Sequence, residues 1–208
     1  MIKLKLLTLF CFCNATNLFS QTTTTKDEIQ IEIVKSKLVD NESVFGIRQL
    51  SVTSEKLKKI MIKTKIKSTI DKTKLSAFYL LDVKNKIRYR LADYKGYTGF
   101  IGYPELIPLR KERFFDEKGA EIEGYGWPIY DESVKDYFND YDIEGYNNFE
   151  MKINFGSEKK PKLGVVYFGE TSYDKFTAEL FFAIIVEHKD SDYELYYKDE
   201  KISDIKFK

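Results

Sequence analysis

The stretch "SAFYLLDVKNKIRYRLADY", residues 76–94, decides the fold class of this chain. An apolar run ends at Asp82, a polar turn follows at Lys84-Asn85-Lys86, and a second run returns through Tyr89 and Leu91. Two apolar runs joined by a short polar turn predict an antiparallel hairpin.

Strand patterns continue on both sides of this hairpin. In "IQIEIVKSKLV" (residues 29–39), Ile29, Ile31 and Ile33 alternate with polar neighbours, which is typical of a half-buried strand. The run "KIMIKTKIKST" (59–69) repeats the alternation with lysines on its outer face, where they would discourage edge-to-edge aggregation. Further strands are predicted at "SVFGIRQLSV" (43–52), "FEMKINF" (149–155), "LGVVYFGE" (163–170), "FTAELFFAIIVE" (176–187) and "DYELYYKD" (192–199).

Helical periodicity is weak throughout the chain. The best short helix is "DESVKDYF" (131–138), in which Ser133 and Asp136 have the spacing of a capping pair. Eight or nine antiparallel strands therefore predict a mainly all-β protein, a β-sandwich whose single domain spans residues 29–208.

A segment at about residues 94–149 interrupts the strands and is predicted to be an aromatic-rich, partly helical insertion. It contains seven of the eleven glycines and the only tryptophan of the chain. Loops of this length inside a compact domain are usually functional or packed as units of their own. Within it, "FFDEKGAEI" (114–122) predicts a small hairpin that turns at residues 116–119.

The strand at residues 176–186 is apolar on both faces. Leu180 and Phe182 lie on one face, and Phe181, Ala183 and Ile185 on the other. A sandwich strand normally exposes one face to water, so something is expected to cover this one. Two covers are open, the aromatic-rich insertion and a partner chain.

The first 21 residues have the pattern of a secretory signal peptide. Lys3 and Lys5 precede a short apolar run, which is too short to span a bilayer. Both cysteines, Cys11 and Cys13, lie in this segment, so the mature chain would have no thiol, although lipidation remains an alternative. Residues 22–28 are predicted to be a polar leader. The expected location is exported: periplasmic, outer-membrane-associated or extracellular.

The charge balance argues against a nucleic-acid partner. The chain has 34 Lys and Arg against 33 Asp and Glu, a formal net charge of +1. Nucleic-acid binding usually requires a marked basic excess. An envelope protein or a glycan is the expected kind of partner, and the oligomeric state is left open.

The acidic stretch "NDYDIEGYNNFEM" (139–151) resembles the first half of a calcium loop. Asp140, Asp142 and Glu144 stand at positions 1, 3 and 5, and Gly145 stands at position 6. Position 12, where a bidentate glutamate is needed, is Met151. Calcium is thus the one candidate cofactor, and the alternative is a type I turn over residues 142–145 with its acids in water.

The run "EGYGWPIYDE" (123–132) contains the candidate ligand-binding residues. Tyr125, Trp127 and Tyr130 stand among glycines and a proline, and could expose an aromatic platform for a sugar or a peptide. The alternative is that these rings cap the core of the sandwich.

The sequence offers little evidence of catalysis. His188 is the only histidine, and no serine lies in a G-x-S-x-G turn. No catalytic residue is therefore assigned. The rival interpretation is a glycan-acting hydrolase that uses paired carboxylates such as Asp131, Asp136 or Glu144 near the aromatic residues.

Residues 27–95 resemble immunoglobulin-like domains of bacterial secreted proteins and lipoproteins. The resemblance rests on Phe78 and Leu80 leading to Asp82, and on the return through Tyr89 and Leu91. It implies an immunoglobulin-like β-sandwich and transfers no catalytic motif. The expected role is an exported, non-catalytic binding or structural protein of the cell envelope.

Overall fold

The computed structural model describes residues 22–39, 56–69, 72–97, 110–115, 121–122, 135–154, 163–171 and 174–207. In these residues antiparallel strands dominate and the only helical elements are three short 3-10 turns, at Leu75–Ala77, Phe138–Tyr141 and Val186–His188. The prediction of a mainly all-β protein is therefore confirmed. None of these turns approaches the length or apolar character that crossing a bilayer requires.

The described strands form two sheets. Their bounds are β1 Thr22–Thr24, β2 Ile29–Val39, β3 Leu57–Ser68, β4 Phe78–Asp82, β5 Ile87–Tyr97, β6 Arg110–Phe115, β7 Glu121–Ile122, β8 Asn147–Phe149, β9 Ile153–Asn154, β10 Leu163–Phe168, β11 Lys175–Ile185, β12 Tyr193–Tyr197 and β13 Glu200–Ile205. The larger sheet has the order β1-β2-β3-β11-β5-β4-β12-β13, and β8 adds to β5 in parallel. The smaller sheet has the order β7-β6-β10-β9.

A β-bulge in β2 sets which of its side chains enter the core. The pairing with β3 passes from Ile33 opposite Thr64 to Lys35 opposite Lys63, so Val34 is an extra residue. Val34 is accordingly 44% exposed. A one-residue shift moves every later side chain to the opposite face. The bulge therefore turns Lys35 outward and directs Leu38 toward the core.

The larger sheet curls into a nearly closed, barrel-like form. Its first and last strands approach each other, and side chains complete the seam: Thr23 Oγ1 donates to the Ile202 carbonyl at 2.9 Å, and Ser36 Oγ donates to the Lys206 carbonyl at 2.7 Å. An immunoglobulin-like sandwich is not identified in this arrangement. The resemblance over residues 27–95 rested on one hairpin, and a hairpin occurs in both kinds of architecture.

The inside of the larger sheet is filled by side chains from almost every strand. Isoleucines and leucines from β2, β3, β4, β11 and β13 pack there with aromatic rings. The fully buried rings of this core are Phe78, Tyr89, Phe182, Tyr193 and Tyr197. Burying one such side chain stabilises a fold by about 1.5–3 kcal/mol, so this core is the main source of stability.

Several local predictions agree with the structure. The hairpin at residues 76–94 is formed by β4 and β5, whose register joins Asp82 to Ile87. The hairpin at 114–122 is formed by β6 and β7, which pair Phe114 with Ile122.

Other local predictions were wrong. Residues 149–155 do not form one strand, because β8 pairs with β5 while β9 pairs with β10. The predicted helix at 131–138 is absent over its described part, and a 3-10 turn begins only at Phe138. Thr22–Thr24, expected in a polar leader, pair with β2, and β13 was not predicted at all. The strand predicted at 43–52 lies outside the described residues.

The second half of β11, residues 180–184, is buried on both faces within a single chain. Phe181 and Ala183, on its outer face, are 5% and 2% exposed. Phe181 contacts Val39 and Met61 of neighbouring strands in a small outer cluster. The expectation that this face is covered is met without a partner chain.

Candidate functional site

Residues 135–150, here called the fastened layer, lie against the outer surface of β4 and β5 as far as Tyr146 and then join the sheet beside β5 as β8. In β5, Tyr89 and Leu91 point into the core, and the alternation of a strand therefore directs Arg88 and Arg90 outward. Both arginines are nevertheless buried. The fastened layer is what buries them.

Arg90 binds two carboxylates of the fastened layer. Its two terminal nitrogens donate to the two oxygens of Asp136 at 2.7 and 2.8 Å, a bidentate pair. Its Nε donates to Glu150 at 2.8 Å. Such planar, charge-assisted pairs are about twice as strong as neutral hydrogen bonds and fix geometry as well. Arg90 thus ties both ends of the layer to one strand.

Arg88 binds the middle of the same layer. Its side chain is fully buried, and it donates to the Asp142 carboxylate, to the Phe138 carbonyl and, at 3.2 Å, to the Asn148 amide oxygen. Burial lowers the pKa of Arg88, and the hydrogen bond to Asp142 opposes that effect. The guanidinium centre lies 3.8 Å from the ring centroid of Phe138 and 4.7 Å from that of Tyr79, which adds cation–π attraction.

The predicted calcium ligands lie in this layer, and two of them contact cations of the chain itself. Asp140 pairs with Lys135 at 2.7 Å, and Asp142 pairs with Arg88. The hydrogen bond from Asn148, and then the interaction with Arg88, lower the pKa of Asp142. In the part of the chain that the structure describes, no three His, Cys, Asp or Glu side chains are grouped as metal ligands. The calcium loop stays a prediction.

The turn in this stretch differs from the type I turn considered as the alternative. Its backbone bond runs from Tyr146 N to the Ile143 carbonyl at 3.2 Å, so it covers residues 143–146. Gly145, its third residue, has a φ of 80°. A positive φ at the third position is the mark of a type II turn, and it explains why a glycine stands there.

Apolar contacts also hold the fastened layer in place. Phe138 is fully buried against Tyr79 and Leu81 of β4, and Ile143 and Tyr146 pack on the same small cluster. The ring of Tyr79 stacks on Tyr196 of β12 at a centroid distance of 5.3 Å. The layer therefore has a core of its own on the outside of the larger sheet.

A second polar cluster lies where β4 ends and brings together an aspartate, a histidine and a serine. Asp82 is fully buried and accepts from the backbone N–H of Asn85 at 2.9 Å and from the Asn85 side chain at 2.8 Å. Ser191 donates to the same carboxylate, and His188 Nδ1 lies 3.3 Å from it. In a catalytic triad the serine hydroxyl is bonded to the histidine. Here it is bonded to the aspartate, so the cluster closes the hairpin turn and anchors the chain after β11.

The tyrosines of the core extend these anchors. Tyr193 donates its hydroxyl to the His188 carbonyl at 2.7 Å, and Tyr197 accepts from the Lys74 N–H at 3.1 Å. Burial raises the pKa of Tyr89 to about 12, and its hydroxyl accepts from the Ile185 N–H at 3.4 Å. The rings of these tyrosines pack in the apolar core, and their hydroxyls form hydrogen bonds with the backbone of neighbouring loops and strand ends.

The predicted ligand-binding residues Tyr125, Trp127 and Tyr130 lie outside the described residues, as does Asp131. The structure therefore places only part of the predicted site. Of the rival carboxylates, Asp136 is held by Arg90, and Glu144 lies exposed in the turn at 143–146.

Sequence reasoning missed the arginine pair, Arg88 and Arg90. The signal was present, because two arginines alternate with Tyr89 and Leu91 in "RYRL" and must share one face of a strand. An excess of acids at residues 136–150 offered the complementary charges. Local patterns do not say which loop covers which strand, so the contact could not be inferred.

Comparisons of the chain with models of protein families, with curated proteins and with solved structures found no match.

Proposed function

We propose that the chain is an exported, non-catalytic binding or structural protein of the cell envelope, and that its contact surface includes the aromatic residues Tyr125, Trp127 and Tyr130. The observation that carries the proposal is the way the arginine pair fastens residues 135–150 to the outside of the sheet. A contact surface needs a rigid support, and binding sites on loops are usually positioned by such a scaffold.

The fastened layer supplies that support next to the aromatic residues. Only four residues separate Tyr130 from Lys135, where the described part of the layer begins. Three charge-assisted bonds from Arg90 hold the two ends of the layer together, since Asp136 and Glu150 share its guanidinium. The layer is then a fixed platform that closely follows the aromatic residues along the chain.

The same contacts argue against Asp136 and Glu150 as an acid–base pair. A general acid or base must exchange a proton with a substrate, whereas both oxygens of Asp136 and Oε1 of Glu150 are already hydrogen-bonded to Arg90. This argument does not depend on whether the fold is an immunoglobulin-like sandwich.

The test uses the single tryptophan as a reporter. We would titrate the purified chain with soluble cell-wall fragments, and follow both Trp127 fluorescence and the release of reducing ends. A saturable change of fluorescence with no product supports a binding role, and the change should be weakened by Tyr130→Ala. Phe207→Ala, which removes a half-buried ring that packs on Tyr193 of β12 and not on the cluster under the fastened layer, serves as the control.

Turnover of the fragments would contradict the proposal. If product forms and is abolished by Asp131→Asn or by Glu144→Gln, the chain is a glycan-acting hydrolase. A fluorescence change that is equal in the Tyr130→Ala and Phe207→Ala variants would also overturn the assignment of the contact surface.

A further inference from the structure

The lysines of β3 form a row on the outer face of the larger sheet. The inward residues of β3 are Ile60, Ile62, Thr64 and Ile66, so the alternate positions face outward. Those positions include Lys63, Lys65 and Lys67. Successive members of the row are about 7 Å apart, since a strand rises about 3.3 Å per residue.

Protection of a sheet edge does not explain this row. Lysines on an edge strand prevent pairing with another chain. However, β3 is a central strand, paired along its length with β2 on one side and with β11 on the other. The lysines therefore need another explanation.

Neighbouring strands place further lysines directly beside the row. Lys67 is paired with Lys175 of β11, and Lys63 is paired with Lys35 of β2. Side chains in directly opposite positions have Cβ atoms about 5 Å apart, and like charges there destabilise a sheet. The sheet thus carries two unfavourable cross-strand pairs on one face.

Acidic residues neutralise only part of this face. Lys65 pairs with Glu32 at 3.0 Å, and Lys63 lies 3.6 Å from Glu179. Lys35, Lys67 and Lys175 are exposed, and none of them makes an ion pair with any described residue. Because the whole chain has a net charge of only +1, the positive charge of this face is a local excess.

We propose that this basic face, formed by Lys35, Lys63, Lys65, Lys67 and Lys175, binds a linear anionic polysaccharide. A polymer with carboxylate groups at regular intervals would follow the lysine row and remove the like-charge repulsion. These five residues are all lysines. The face therefore lacks the planar guanidinium group of arginine, which selects phosphate or carboxylate groups by their geometry. It can recognise only the charge of a partner and the spacing of its charges.

Two other polyanions fit the face less well. The outside of a nearly closed sheet is convex, so it would touch a flat anionic bilayer only along a narrow line. Single-stranded nucleic acid is bound largely through exposed aromatic rings, and Phe181 on this face is buried. A flexible polysaccharide needs neither a flat surface nor an aromatic platform.

This inference rests on the proposed binding role and names the chemistry of one partner. The basic face does not include Tyr125, Trp127 or Tyr130. One proposal can therefore be rejected by its experiment while the other is supported.

The experiment measures the affinity of the purified full chain for alginate, with neutral dextran as the control polymer. The test variant is the double substitution Lys67→Gln/Lys175→Gln. The matched control is Lys84→Gln/Lys189→Gln, which changes the net charge equally at exposed lysines near the opposite end of β11. We expect alginate to bind at low salt, and the test variant to bind about tenfold more weakly than the control variant.

The stability of the variants separates binding from folding. Removing a like-charge pair should leave the thermal midpoint of Lys67→Gln/Lys175→Gln unchanged or higher while its affinity falls. A charge-preserving variant, Lys67→Arg/Lys175→Arg, should retain the affinity of the unmodified chain.

Several outcomes would overturn the proposal. They are equal binding of alginate and dextran, equal loss of affinity in the test and control variants, and loss of affinity in the arginine variant. Tighter binding to phosphatidylglycerol vesicles or to single-stranded DNA than to alginate would also reject a polysaccharide as the partner.

Discussion

At the scale of single residues, stability depends on whether a buried hydroxyl group has a hydrogen-bond partner. Among the described residues, the hydroxyl of Tyr94, buried in the core, finds no hydrogen-bond partner, and the hydroxyl of Tyr79, buried outside that core, finds none either. A buried polar group without a partner costs about 1–3 kcal/mol. The hydroxyl of Tyr193, in contrast, is bonded to a carbonyl at 2.7 Å.

This contrast predicts opposite effects of the same substitution. Tyr94→Phe should raise the free energy of unfolding by about 1 kcal/mol, because it removes an unsatisfied hydroxyl and keeps the ring. Tyr193→Phe should lower it by a similar amount, because it removes the hydroxyl bond to the His188 carbonyl, which keeps only the backbone bond from the Ser191 N–H. Urea denaturation of both variants gives the two values. Destabilisation by Tyr94→Phe would mean that its hydroxyl has a partner.

At the scale of elements, the fastened layer depends on buried charges, and the two arginines differ in what they hold. Arg90 shares its guanidinium between two half-buried carboxylates, whereas Arg88 is fully buried and pairs with an Asp142 side chain that is 65% exposed. An exposed carboxylate contributes little because water screens it. The pairs made by Arg90 should therefore be the stronger ones.

Arg90→Met should accordingly release the fastened layer. Breaking a buried ion pair by removing one partner costs about 3–5 kcal/mol, and the lower end is expected because Asp136 and Glu150 retain some contact with water. Amide hydrogen exchange of Asn147–Phe149, which pair with β5, should become faster in this variant.

A control separates this effect from a general loss of charge. Lys135→Met removes the exposed ion pair with Asp140 and should leave both stability and exchange nearly unchanged. If Arg90→Met also leaves the exchange of Asn147–Phe149 unchanged, the layer is held by the apolar contacts of Phe138 instead.

At the scale of the whole molecule, buried tyrosines predict sensitivity to alkali. Burial raises the pKa of Tyr79, Tyr89, Tyr94 and Tyr193, that of Tyr89 to about 12. In the unfolded chain these hydroxyls ionise near pH 10. The stabilisation from keeping them neutral is thus complete below about pH 10 and is lost as the pH rises toward 12 and above.

The urea midpoint should therefore fall steeply above pH 10, while it is little affected by these tyrosines at neutral pH. Absorbance of tyrosinate should appear together with unfolding. Tyr94→Phe should show a shallower decline, since one fewer proton is released on unfolding. Ionisation of all tyrosines at pH 10 with the fold intact would show that these rings are accessible to water.

The sequence alone determined the long inner strands and the two hairpins of this protein, although it missed β1 and β13. Alternation in β2 and β3, the turn after Asp82 and the doubly apolar β11 are local properties, because a strand repeats every two residues and a turn needs particular residues at particular positions. For the same reason the sequence predicted a mainly all-β chain.

Only the tertiary structure decided how these strands close and which polar groups meet. The seam between Thr23 and Ile202, and the contact of Ser191 with Asp82 109 residues earlier, join positions far apart in the chain. The bulge at Val34 determines which side chains of β2 point outward, and the fastened layer covers Arg88 and Arg90. Such contacts depend on which surfaces cover each other, and side-chain periodicity carries no information about that choice.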